Sequence, residues 1–77
     1  MKVYQFDEQL TKQVRHITTM VKGTRAVKEI SQEKIAKCIG MSRPQYTAVE
    51  NNIGRMRLED FLTTLNELGL EFEIHET

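Results

Sequence analysis

Apolar residues recur at helical spacing in several stretches of the chain, and at strand spacing in one. Leu10, Val14, Ile17 and Val21 fall at i, i+4, i+7 and i+11, one face of a long helix for which Asp7 is the N-cap. Gly23 interrupts that pattern at a cost of about 1 kcal/mol relative to Ala, enough for a bend or break there. Thr24–Lys28 either continues the helix or forms a separate turn. Ile35, Ala36 and Ile39 then mark one face of a short helix over Gln32–Ile39, capped by Ser31. Gly40 stops it, since glycine takes the left-handed conformation without steric cost.

Ser42 is placed to cap another short helix, with Pro44 in its first turn, where a missing N–H costs little. Tyr46 and Val49 face inward, which leaves Arg43, Pro44, Gln45, Thr47 and Ala48 pointing elsewhere. The stretch from Asn52 to Arg57 lacks periodicity and reads as a loop. Leu58, Phe61, Leu62, Leu65 and Leu68 form the stripe of a last helix with Gly69 as its stop, although Arg57 stands where Ser, Thr or Asp is the usual cap. Leu70, Phe72 and Ile74 alternate strictly with polar neighbours, the pattern of a strand over residues 70–75. A single strand leaves its backbone groups unpaired. Its partner is either the same tail of a second copy about a two-fold axis, or Lys2–Phe6, because residues 1–6 read as a short strand or a loose arm. With no repeats, low-complexity tracts or linkers, residues 1–77 are expected to form one domain.

At 77 residues the chain is near the size where one core is only marginally adequate. Its zero net charge conceals a division. Residues 1–57 hold all eleven Lys and Arg against five acids, a charge of +6, and residues 58–77 hold six acids and no Lys or Arg, a charge of −6. That division suggests a basic face toward polyanions and an acidic end turned away or toward another partner. No apolar run reaches membrane-spanning length and no signal-peptide pattern opens the chain, and the lone Cys38 fits a reducing compartment, so a cytoplasmic protein is expected. His16, His75 and Cys38 match no metal-ligand spacing. Without a Gly-rich phosphate loop, a nucleophile motif or paired carboxylates beside a cleft, an enzyme is not expected, nor a cofactor or small-molecule substrate.

Two short helices joined by a tight turn over residues 31–51 have the shape of a helix-turn-helix, whose second helix enters the DNA major groove. Gln32-x-x-Ile35-Ala36-x-x-Ile39-Gly40-Met41-Ser42-x-x-x-Tyr46-x-x-Val49-Glu50-Asn51 resembles the lambdoid Cro/CI (XRE-type) helix-turn-helix domain, and the likeness runs from Arg25 through the leucine-rich last helix. The Glu50-Asn51-Asn52 ending and the strand-like tail are similar to the HipB type of antitoxin repressor, with Asn52 where many members have Gly. The resemblance implies a largely buried ion pair between Arg25 and Glu50. It also implies phosphate contacts from Gln32, Ser42, Gln45 and Asn51, which position a protein on DNA without reading sequence. Arg43 falls where base edges are read, with guanine as its natural partner, or else it is a solvated or phosphate-bound arginine. Thr47 and Ala48 could meet a thymine methyl, and Pro44 offers apolar contact. Arg55 and Arg57, after the motif, are candidates for backbone contacts, whereas Lys34 and Lys37 read as solvated charges. Tyr46 reads as core, and Cys38 as a partly exposed bystander.

The expectation is therefore an all-α, lambda-repressor-like domain of four to five helices, with a C-terminal β-strand that dimerises through Leu70, Phe72 and Ile74. Such a homodimer would bind double-stranded, inverted-repeat operator DNA with half-sites about 34–36 Å apart. The HipB likeness implies an autoregulatory antitoxin with a cognate toxin as partner, in a prokaryote or phage. A phage or restriction-control regulator without a toxin is the alternative, as is a protein-interaction module that has lost DNA binding.

Overall fold

The computed structural model describes residues 3–76 and is all-helical. Four α-helices follow in order: α1 Val3–Val27, α2 Gln32–Cys38, α3 Arg43–Glu50 and α4 Leu58–Glu67, with a 3₁₀ turn Ile53–Arg55 between the last two. No helix among the described residues is long and apolar enough to cross a membrane.

Helix α1 corrects two expectations. It begins at Val3, so Asp7 is an interior residue rather than a cap, and Val3–Phe6 form helix rather than a strand or arm; Met1 and Lys2 lie outside the described residues. Val3, Phe6, Leu10 and Val14 carry helical spacing back past Asp7, and a long amphipathic stripe outweighs one cap-like residue. The helix also runs unbroken through Gly23, because the buried Val21 and half-buried Thr24 and Arg25 hold both sides of it on the body. Its 25 residues span about 38 Å at the usual rise, close to the 41 Å long axis of the molecule. After Val27 the chain reverses through Glu29, which takes the left-handed conformation at φ 55°.

The core draws on every element: Val21 from α1, Ile35 and Ala36 from α2, Tyr46 from α3, Ile53 and Met56 around the 3₁₀ turn, and Leu65 and Leu68 at the end of α4. Residues 52–57 are thus not a plain loop, since Ile53 and Met56 anchor a compact turn, and the Ile53 N–H donates to the buried Thr18 Oγ1 of α1 at 3.4 Å. Arg57 occupies the N-cap position of α4 without a side-chain cap bond. At the other end Gly69 takes φ 71°, and Lys28 Nζ donates to the Leu68 carbonyl at 2.6 Å, a cation on the negative end of the helix.

No strand occurs among the described residues, and residues 70–76 have no regular structure. A strand exists only within a ladder, and one proposed partner, Lys2–Phe6, is helical from Val3 onward. The alternating side chains are instead partly used within the chain. Leu70 packs on the core, and Phe72 meets Phe61 edge-to-face with ring centroids 5.8 Å apart. Ile74 is left 84% exposed.

Candidate nucleic-acid interface

The connection between α2 and α3 is set by its capping residues. Ser31 opens α2 by accepting the Lys34 N–H at 3.1 Å. At the other end Gly40 adopts φ 72°, which lets the Met41 N–H reach back to the Ala36 carbonyl at 2.9 Å. Ser42 then starts α3 with a reciprocal cap: its Oγ accepts the Gln45 N–H at 3.3 Å, and Gln45 Oε1 accepts the Ser42 N–H at 2.9 Å. The cap holds the carbonyl end of the Gln45 amide, so its NH₂ remains a donor for an anion.

At 100° per residue, Arg43, Pro44, Thr47, Ala48 and Asn51 fall on one side of α3. Ser42, Arg43, Pro44, Gln45, Ala48 and Asn51 are exposed, and Thr47 is half-buried. Tyr46 and Glu50 are fully buried, Glu50 at the edge of that side next to Arg43 and Thr47. Arg55 lies on the exposed surface of the 3₁₀ turn. Arg57 is also exposed, but its guanidinium pairs with Glu59, which competes with any backbone contact.

Behind the exposed face sits a polar clamp. Arg25 Nε donates to Glu50 Oε2 at 2.9 Å and Nη2 to Oε1 at 3.1 Å, a two-pronged bridge from α1 to α3. Its Nη1 donates to the Ile30 carbonyl at 3.2 Å, so one guanidinium fixes both α3 and the turn before α2. Gln32 Nε2 adds a third bond to Glu50 at 3.0 Å, and the Thr47 hydroxyl donates to Gln32 Oε1 at 2.8 Å. The side chains of Arg25 and Glu50 are 20% and 1% exposed, so solvent screens the pair little.

Burial by itself pushes the Glu50 carboxyl up. Bonds from Arg25 and Gln32, together with the nearby Tyr46 hydroxyl and the Arg25 charge, overcome that and hold it below the usual carboxylate range. Tyr46 moves the other way, because burial and then the Glu50 carboxylate beside it raise its pKa and keep it neutral. Its hydroxyl has no well-formed hydrogen bond.

Two side chains that the family likeness directed at DNA are therefore occupied within the protein. The carbonyl and one amide hydrogen of Gln32 are used in the clamp, which leaves its second hydrogen for a phosphate. Thr47 gives its hydroxyl proton to Gln32, which leaves its methyl group and the oxygen lone pairs for a base. Thr47 and Glu50 are three residues apart on a helix, within reach of one amide, but the amide comes from Gln32 on another helix. No motif in the sequence singles out Lys22. It stands three residues before Arg25 on the same side of α1, and its Nζ donates to Asn51 Oδ1. Ser42, Arg43, Pro44, Ala48 and Asn51 share the open surface of α3, whereas Leu70, Phe72 and Ile74 belong to the acidic end.

Among the described residues no group of three or more His, Cys, Asp or Glu is placed to hold a metal ion. Cys38 is exposed at the end of α2. Compared with known proteins, the chain matches no family model, no curated protein and no solved structure.

Proposed function

We propose that this chain is a DNA-binding regulator of the lambda-repressor-like helix-turn-helix kind, with α2 and α3 as the motif and α3 as the recognition helix. The single observation that carries this reading is the exposed α3 face, capped by Ser42 and Gln45 and held from behind by the Arg25–Glu50–Gln32 clamp. A short helix presenting Arg43, Pro44 and Ala48 to solvent suits insertion into a major groove. Arg43 reads guanine there, and Ser42, Gln45, Asn51 and Arg55 hold the phosphates.

Two copies acting on an inverted repeat complete the proposal. The acidic end supports it, since Leu58, Phe72 and Ile74 expose apolar surface on the part of the chain carrying −6 charge. That end suits another protein chain, either a second copy or the cognate toxin of an autoregulated operon. Fluorescence-anisotropy titration of the chain with a duplex from its own promoter, at two salt concentrations, tests the DNA reading. Tight binding that weakens steeply with salt is expected, and no binding at either concentration would overturn it. Co-purification with the neighbouring gene product tests the antitoxin reading, and its failure would leave a regulator without a toxin.

A further inference from the structure

The first helix carries a feature that insertion of α3 into a groove does not use. A groove of about 580 Å³ lies between α1 and the turn at the end of α3. Its polar lining is Thr11, Arg15, Thr18, Thr19 and Lys22 on one side and Asn51 and Asn52 on the other. Thr11, Arg15 and Lys22 fall at i, i+4 and i+11, one stripe of α1. Two cations, three hydroxyls and two amides line it, and no carboxylate is among the described lining residues.

The groove is built rather than incidental. The Ile53 N–H bond to Thr18 Oγ1 fixes the turn against α1, and a Cβ added to Gly54 would meet the Val14 methyls at 3.3 Å. Lys22 Nζ holds Asn51 Oδ1, which leaves the Asn51 NH₂ as a donor. Cations and neutral donors beside apolar carbon are what a sugar–phosphate strand requires. Arg15 and Lys22 are seven residues apart, about 10 Å along the helix axis, so they meet different phosphates.

We propose that this groove is a second DNA-backbone track: a sugar–phosphate strand leaves the α3 face at Asn51 and runs along α1, with Arg15 and Lys22 on its phosphates. The proposal rests on the DNA-binding reading above. It is tested with the full chain by anisotropy titrations over a range of salt, on its promoter duplex and on a scrambled duplex of equal length. Arg15→Ala should weaken binding to both duplexes by the same factor and lower the log–log salt slope by about 0.9, and adding Lys22→Ala should lower it by about as much again. Arg15→Lys should restore the slope. Lys12→Ala removes an equal charge from an exposed position outside the groove lining and should leave the slope unchanged. Wild-type affinity and slope in Arg15→Ala would overturn the track while leaving DNA binding intact, and so would an equal loss in Lys12→Ala. If the wild-type chain binds neither duplex, the DNA reading fails and the track fails with it. Arg15 is exposed, so its single variant decides the matter even if the double variant unfolds.

Discussion

The two short helices in the middle of the chain close on themselves, whereas the segment after Gly69 does not. Neither α2, with seven residues, nor α3, with eight, could persist alone. They are fixed by the Ser31 cap of α2, the reciprocal Ser42–Gln45 cap of α3 and the buried bridge of Arg25, Glu50 and Gln32, all made within one chain. Residues 70–76 have an equally clear pattern but no intrachain ladder, and their last apolar residue, Ile74, is in solvent. Around the bonded helices the exposed Ser42, Arg43, Gln45 and Asn51 suit a polyanion. After Gly69 the exposed residues include Phe72 and Ile74 among acids, and suit another protein.

The sharpest way to break this contrast is to open the clamp. Arg25→Ala strands the buried Glu50 carboxylate and should lower stability by about 3–5 kcal/mol, read as a large fall in melting temperature. An unchanged melting temperature would show that the bridge does not hold α3. The same carboxylate gives the contrast a pH dependence. Its folded pKa lies below its unfolded value, so the unfolded state binds the extra proton between the two. The resulting stability is complete above about pH 4.3, the ordinary glutamate pKa, and is lost as pH falls through the lower folded pKa. Glu50→Gln should flatten that acid limb in a urea-unfolding series, and an equally steep limb in the variant would assign it to other carboxylates.

Smaller effects separate cap from tail. Gly69→Ala forces a side chain into φ 71° and brings its Cβ to 2.8 Å from Lys28 Nζ, so a loss of about 1 kcal/mol is expected. Ser42→Ala removes one half of the α3 cap and should cost about 1 kcal/mol in thermal or urea unfolding. Ile74→Ala should leave the melting temperature unchanged at low protein concentration and weaken its rise with concentration. A wild-type melting temperature independent of concentration would remove the tail's role in pairing.

Much of the fold is legible in the residues, and the exceptions have physical reasons. Ser31, Gly40, Ser42 and Gly69 mark helix ends through their own local chemistry, and they stand at those ends. Asp7 misled because a cap-like residue is compatible with a helix interior once an apolar stripe extends past it on both sides. Ile53 and Met56 lack periodicity, and their partners are distant in sequence: Thr18 of α1 takes the Ile53 N–H and Thr64 of α4 meets the Met56 sulfur, which local sequence does not display. The exposed face of α3 follows from helical spacing alone. The inward turn of Gln32 and Thr47 depends on Glu50 arriving beside them, a contact that only the assembled chain creates.

On the proposed DNA-binding reading, the clamp presents α3 to base edges, and Arg43 is the residue whose loss decides it. In anisotropy titrations, Arg43→Ala should lose about 1–3 kcal/mol on the promoter duplex and little on a scrambled one, while its melting temperature stays that of the wild type. Equal loss on both duplexes, or no loss on either, would contradict the claim.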